Sequence, residues 1–260
     1  SDPKLRRSLT QLAAGGAQQA SVGVPADEVD AFGADLGEAP LPTRRVIGGA
    51  QRQDSVAAGL AVLPELLGEA DGVILIHDAA RAFVPADVVG RVSDAVRAGA
   101  PAVIPVTAVT DTIREVDDLG SRVIDRTRLR GVQTPQGFRR SIIEDAHAAL
   151  AETGTPVTDD AAAVEYTGNE VALVDGDALA FKITTPLDLL LARAVRRWPQ
   201  LTQRDSDVLR ALMDGLDTVA LAERLGLTPA SAQTYCQRVY RKLGVAGHRE
   251  LMAALLASSG

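Results

Sequence analysis

Asp78 closes an aliphatic run, Val73-Ile74-Leu75-Ile76-His77, and is followed at once by Ala79, Ala80 and Arg81. Such a run reads as a strand that delivers a carboxylate to its carboxyl end, where open α/β sheets bind ligands. A carboxylate there suits Mg²⁺, which takes oxygen ligands and shares them with substrate phosphates. Ala79 and Ala80 let a nucleotide approach the backbone, and Arg81 offers a planar fork to phosphate or carboxylate. A structural Asp–Arg ion pair is the competing use of the same residues. Gly48-Gly49, then Arg52, Asp54 and Ser55, reads as a tight turn into a helix. At such a start backbone N–H groups and the Ser55 hydroxyl can converge on an anion, or can simply cap the helix.

Further along, Thr112, Arg126 and Thr134 are hydroxyl and guanidinium groups suited to a phosphate on a small polyol. Arg114, Arg122, Arg128 and Arg130 lie nearby and form either part of that site or a solvated basic face. Lys182 interrupts the apolar segment Ala180-Phe181-Lys182-Ile183, read as a strand. Buried, the lysine needs an anionic partner such as a substrate phosphate. At a strand edge it reaches solvent instead.

The elements that must position these groups follow from the hydropathy pattern. Short apolar runs at Val73–Ile76, Ala102–Val106 and Val171–Val174 alternate with helical stretches near 53–67, 86–98 and 139–152. Unbroken apolar runs of that length fit buried parallel strands, and the alternation fits an α/β three-layer domain. Between Thr107 and Arg126 the rhythm breaks into two strand-like segments joined by Asp117-Asp118-Leu119-Gly120. This is a β-hairpin, either an arm that meets a second subunit or a plain surface feature. Residues 1–21 read as a poorly specified leader, 22–197 as the α/β domain and 198–260 as a small all-helical domain. Arg196-Arg197-Trp198-Pro199-Gln200 marks the boundary, since proline ends a helix.

Composition narrows the classes. With 260 residues, 46% apolar and 23% charged, the chain is globular rather than disordered. A net charge of −7 argues against coating nucleic acid by bulk charge. The tail from residue 198 carries seven Lys/Arg against six Asp/Glu and is close to neutral. The single Cys236 excludes an intrachain disulfide, and His77, His147 and His248 share no ligand spacing. No apolar run reaches membrane-span length and no signal h-region follows Lys4, Arg6 and Arg7, so a cytoplasmic location is expected.

Taken in order, Gly48-Gly49…Arg52-Gln53-Asp54-Ser55, His77-Asp78-Ala79-Ala80-Arg81, Asp111-Thr112-Ile113, Gln133-Thr134-Pro135-Gln136, Thr158-Asp159-Asp160 and Lys182-Ile183-Thr184-Thr185-Pro186-Leu187-Asp188 form a specific set. The set resembles the 2-C-methyl-D-erythritol 4-phosphate cytidylyltransferases over roughly residues 22–195. The resemblance implies a Rossmann-like nucleotidyltransferase domain with a protruding hairpin arm, acting on CTP and methylerythritol phosphate with Mg²⁺. It implies that Gly49, Ser55, Ala79 and Arg81 bind the nucleotide and that Asp78 holds the metal. It also implies that Thr112, Arg126 and Thr134 bind the polyol phosphate, with Asp78, Arg126 and Lys182 as the catalytic set. The family's opening strand and glycine-rich phosphate loop are not matched, Leu12-Ala13-Ala14-Gly15-Gly16 being a faint echo. The alternative to an enzyme is therefore a regulator whose transferase-like domain senses a ligand or only dimerises.

From Leu201 onward the chain resembles the LuxR-type helix-turn-helix domains. Ala222 and Leu225 face a core, Gly226 makes the turn, and Thr228-Pro229 start a second helix running to about Leu243. That helix is expected in the DNA major groove, with Ser231, Gln233, Thr234 and Gln237 toward bases or sugars and Arg238, Arg241 and Lys242 toward phosphates. The DNA-binding domain is expected to act as a dimer, and the chain as a homodimer.

Overall fold

The computed structural model describes residues 3–30, 32, 36, 39–68, 71–118, 120–197 and 201–256. Trp198, Pro199 and Gln200 of the expected boundary and Leu119 of the hairpin turn lie outside them. The chain divides into two units: Ser1–Val106 with Val132–Ala180, and Thr107–Gly131 with Phe181–Gly260.

In the first unit the chain begins with α1 (Pro3–Ala14) and continues through β1 (Ala20–Val24), β2 (Thr43–Ile47), α2 (Arg52–Leu60) and α3 (Leu63–Leu67). β3 (Val73–Ile76), α4 (Ala86–Arg97) and β4 (Ala102–Ala108) follow. After the second unit's hairpin come β7 (Arg130–Val132), β8 (Gln136–Arg139), α5 (Arg140–Thr153), α6 (Asp160–Tyr166) and β9 (Val171–Asp175). The leader reading is corrected here: α1 is a helix whose Leu5 and Leu9 are buried and whose Leu12 packs on Val84, Val88 and Val89. The spacing 5, 9, 12 places all three on one helical face, a stripe short enough to be hidden by the surrounding charges.

β1 and β2 pair in parallel, and β3, β8, β4 and β7 lie in that order in a second sheet, with β9 also on β4. The three strands expected from the apolar runs, β3, β4 and β9, run parallel to one another, and the sheet is mixed because β8, which the hydropathy pattern did not reveal, lies antiparallel between β3 and β4. The cause is the excursion after β4, which returns the chain at the carboxyl end of the sheet so that β8 must run back down it. Alternation along β3 builds the layers. Ile74 joins Phe138, Ile143, Leu150 and Val164 on one face, and Val73 and Leu75 join Val92, Val96 and Val103 on the other.

The expected helices correspond to α2 with α3, α4 and α5. The segment around Lys182 is not a strand: Ala178–Ala180 is one 3₁₀ turn, and residues 181–184 carry no regular structure.

The second unit contains the hairpin, β5 (Ile113–Asp117) antiparallel to β6 (Gly120–Ile124), and five helices among the described residues. These helices are α7 (Pro186–Arg197), α8 (Gln203–Met213), α9 (Thr218–Leu225), α10 (Pro229–Leu243) and α11 (His248–Leu256). The starts of α8, α9 and α10 are capped by side chains: Thr202 with Asp205 in a capping box, Asp217 on the N–H groups of Val219 and Ala220, and Thr228 on Ser231. Gly226 ends α9 at φ +61°, the left-handed conformation that makes the helix-turn-helix corner.

Candidate functional site

At the carboxyl ends of β1, β2 and β3 the first unit gathers its polar groups. Gly48 N–H donates to the Val24 carbonyl at 2.9 Å, turning the chain out of β2. Gly49 N–H donates to Ser55 Oγ at 3.1 Å, and Asp54 Oδ2 accepts from Gln51 N–H at 3.0 Å. A side chain at Gly49 would meet Asp54 Cβ at 2.1 Å, so only glycine lets this turn close on α2. The Ser55 hydroxyl also donates to Gln51 O at 3.3 Å, the capping use of this residue.

Arg52, at the start of that helix, reaches two acids. Its Nη2 stands 2.7 Å from Asp160 Oδ2 and its Nε 3.4 Å from Asp78 Oδ1. Asp160 is 2% exposed, and its other oxygen lies 3.1 Å from His147 Nε2. Arg52 and Asp160 appear in the sequence motifs, but without a role assigned to them. The signal available was an arginine just past a glycine bend, with an acid repeated at 159 and 160.

Thr134 pins the loop after β3: its Oγ1 accepts from Asp78 N–H at 3.0 Å and lies 3.0 Å from His77 Nδ1. Buried Gln133 and Gln136 fix the loop around Thr134 through their side-chain amides. Gln133 bonds Asp177 O and N–H, and Gln136 bonds Asp159 Oδ2 and Ala161 N–H. Arg81 sends Nη1 to Ala180 O at 2.7 Å and Nη2 to Val132 O at 3.3 Å. Burial lowers its pKa from the usual value, and the charge of Asp78 opposes that. Ala79 is exposed, and its carbonyl accepts from Ser8 Oγ at 3.1 Å, which ties α1 to the site loop.

Burial lowers the His77 imidazole to about 4, with Asp78 pulling it up and Arg81 adding to the drop. A histidine held neutral in the fold but free to protonate when unfolded stabilises the protein fully above about 6.5. That contribution is lost as pH falls from about 6.5 toward 4. The ring lines a cavity wall, so the loss is expected at about 1–2 kcal/mol rather than the full desolvation value. Urea unfolding at about pH 7 and about pH 4.5, on either side of the unfolded value, measures it. His77→Gln should flatten the difference; an unchanged difference would refute this role.

Beside these groups a cavity of about 620 Å³ runs between β1 and β3. Ser21, Val22 and Gly23 line one wall, Val73, Leu75 and Ile76 the other, and Arg52, Ser55 and Asp78 its end.

The structure thus brings Gly49, Ser55, Asp78, Ala79, Arg81 and Thr134 together within the first unit. Thr112, Arg126 and Lys182 belong to the second unit. Thr112 and Arg126 are exposed beside the hairpin, with Arg126 Nη1 hydrogen-bonded to Thr110 O. Lys182 is exposed, which removes the desolvation argument made for it from an assumed strand.

On α10, Ala232, Cys236, Val239 and Leu243 are buried, while Gln233, Thr234, Gln237 and Arg241 are exposed. Gln233, Gln237 and Arg241 follow one another at single-turn spacing along the open face. Ser231 is engaged by the Thr228 hydroxyl at 2.9 Å, and Thr234 Oγ1 donates back to Ala230 O. Arg238 and Lys242 are turned elsewhere. Both bond Asp205, each at 2.6 Å, and Arg238 also lies over the Tyr235 ring at 4.4 Å. Two of the three cations expected on phosphates, Arg238 and Lys242, are therefore engaged inside the domain, because a fully buried aspartate on α8 needs them. Burial alone would raise the Asp205 carboxyl, but Lys242, Thr202 and Arg238 hold it well below the usual carboxylate range.

A strand-end carboxylate and a glycine turn at the carboxyl ends of a layered α/β sheet, followed by a capped helix-turn-helix, define a nucleotidyltransferase-type domain joined to a DNA-binding-type domain. Residues 1–197 match the family model of 2-C-methyl-D-erythritol 4-phosphate cytidylyltransferase, and the chain belongs to that family. Residues 199–255 match the model of bacterial regulatory proteins of the luxR family. The two matches meet between residues 197 and 199.

The chain is 48% identical to a 2-C-methyl-D-erythritol 4-phosphate cytidylyltransferase of Saccharopolyspora erythraea over 176 residues, 67% of this chain and 77% of that protein. It is 47% identical to the Nocardia farcinica protein of the same name, over 71% and 76% of the two chains. A crystal structure of the Thermus thermophilus enzyme superposes with a TM-score of 0.61 at 38% identity, covering 73% of this chain and 87% of that one.

Proposed function

We propose that the cytidylyltransferase domain binds CTP and methylerythritol phosphate and joins them, and that the C-terminal domain binds DNA. The observation that carries the first part is Asp78. It stands at the carboxyl end of β3, with Thr134 on its backbone and Arg52 on its carboxylate, beside the Gly49 turn. In the reaction a phosphate oxygen of methylerythritol phosphate forms a bond to the α-phosphorus of CTP, the α–β phosphoanhydride bond breaks, and pyrophosphate leaves with the electron pair. Chemistry of this kind asks a protein for positioning and charge neutralisation. No group of three or more His, Cys, Asp or Glu that could hold a metal occurs among the described residues. A single strand-end carboxylate fits Mg²⁺ that is held largely by substrate phosphates and water. When bound, the ion would neutralise charge on the triphosphate. Arg52 orients Asp78. Pyrophosphate release from CTP, methylerythritol phosphate and Mg²⁺ is expected to fall about 10²–10³-fold in Asp78→Ala. Turnover indifferent to that change would overturn the assignment.

A regulator that only senses a ligand is favoured by one observation: the Ser55 hydroxyl and the Arg81 guanidinium are already engaged by backbone groups. Under that reading CTP binds and pyrophosphate is not released.

For the DNA-binding part, the open face of α10 carries Gln233, Gln237 and Arg241. With Arg238 and Lys242 engaged by Asp205, Arg241 is the principal phosphate contact from this helix. In fluorescence anisotropy with duplex DNA, Arg241→Ala should reduce the slope of log K against log salt by about 0.9. An unaltered slope would exclude it as a phosphate contact.

The hairpin is the proposed dimer arm, since Val116 and Val123 are 75% and 59% exposed on its two strands. The single cysteine fits a reducing cytoplasmic location, and no described helix is long and apolar enough to cross a membrane.

A further inference from the structure

Gln233 and Gln237 stand exposed on α10, and among the described residues neither side-chain amide is engaged within the chain. Four residues apart, they are separated by about 6 Å along the helix axis, against about 3.4 Å per base-pair step of a duplex. Each amide presents an acceptor and a donor side by side, the complement of adenine N6 and N7 in the major groove. Guanine asks for something else there: its O6 and N7 only accept, and a cation answers them best.

The cations that could do so on this helix are committed elsewhere. Arg238 and Lys242 are held by buried Asp205, and the Tyr235 ring adds a second hold on Arg238. Arg241 is open, but it lies about 12 Å along the axis from Gln233, toward the end of the helix farther from the base contacts. Thr234, exposed next to Gln233, donates its hydroxyl to Ala230 O at 3.0 Å, which leaves its methyl outward for a thymine methyl. The nearly balanced charge of the tail keeps the sequence-blind attraction to phosphates small, so base contacts carry a larger share of binding.

We propose that α10 reads A·T pairs. Gln233 and Gln237 each take the major-groove edge of an adenine, one or two base-pair steps apart, with the Thr234 methyl on a neighbouring thymine. This assignment rests on the DNA-binding reading above and adds to it the bases recognised.

The test selects randomised duplexes with the whole chain at low salt and then measures anisotropy on the enriched site. Enriched sites should carry adenines at that spacing. Replacing them by 7-deazaadenine keeps Watson–Crick pairing and removes the N7 acceptor. Binding should weaken by about tenfold at each position, while 7-deazaguanine elsewhere in the site changes nothing. Gln233→Ala and Gln237→Ala, with parent-like circular dichroism, should each abolish the sensitivity to one of the two replacements. Gln233→Arg should move the preference at its own position to guanine. Enriched A·T sites that tolerate 7-deazaadenine would trace the preference to the shape of the duplex and overturn the contacts proposed. Loss with 7-deazaguanine, or binding without base preference, also overturns them and leaves DNA binding intact. Failure to retain any duplex at low salt overturns the DNA-binding reading itself, and this assignment with it.

Discussion

Replacing Asp205 with alanine is expected to destabilise the helical part of the second unit by about 3–5 kcal/mol, the usual cost of removing one partner from a buried charge cluster. Asp205 is fully buried and accepts from Thr202 N–H at 2.9 Å, Thr202 Oγ1 at 2.7 Å, and Arg238 and Lys242 at 2.6 Å each. Alanine removes part of the cap of α8 and leaves two cations of α10 without their anion. Asp205→Asn keeps some of the cap and loses the charge, and should fall between alanine and the parent. The carboxyl is depressed in the fold, so its contribution is present above about pH 4 and is lost as pH falls further. Chemical denaturation followed by far-ultraviolet circular dichroism measures the change. A parent-like midpoint for Asp205→Ala would show that the cluster contributes no net stability.

A second large effect is expected at Asp160, in the first unit. Its alanine variant leaves the Arg52 guanidinium with Asp78 alone, at 3.4 Å, and strips buried His147 of its acceptor. Because Arg52 is partly exposed, the loss is placed below that of a fully buried pair, at about 2–3 kcal/mol. Arg52 also positions the carboxylate proposed to act, so turnover should drop further than folding stability explains when assayed well below the melting temperature. If Asp160→Asn, which keeps a hydrogen-bonding oxygen for His147, restores stability without restoring turnover, the two roles separate. Parent-like behaviour of Asp160→Ala in both assays would remove Asp160 from the site.

What the sequence made legible was governed by local pattern. β3 ending at Asp78, the hairpin, and the recognition helix with its glycine corner are all short-range signals, and each is present. The elements missed are those whose residues answer to distant neighbours. β2 carries Arg44 and Arg45 with only partial cover and lacks an apolar run. β8 reads Gln-Gly-Phe-Arg, a poor strand by composition. Its glycine is required because a side chain there would come within 2.4 Å of Val92, and its glutamine is 1% exposed because it bonds α6. Arg238 and Lys242 had the spacing of a phosphate-facing row. Nothing within α10 could reveal that an aspartate more than thirty residues earlier claims them both. The strand expected around Lys182 failed for the opposite reason: its apolar run is an irregular segment, on which the lysine is exposed to solvent.

The second unit also bears on how the two parts of this chain can be taken apart. The family models divide the chain between residues 197 and 199, yet α7, which lies on the transferase side of that line, is grouped with the helices beyond it. Leu191, Ala192, Ala194 and Val195 of α7 are buried. A gene cut at the family boundary would hand each half a raw apolar face, and both products should be prone to clump. A cut ahead of Pro186 would let the last helix of one ancestor travel with the other. The line of descent and the line of folding thus cross this protein at different places.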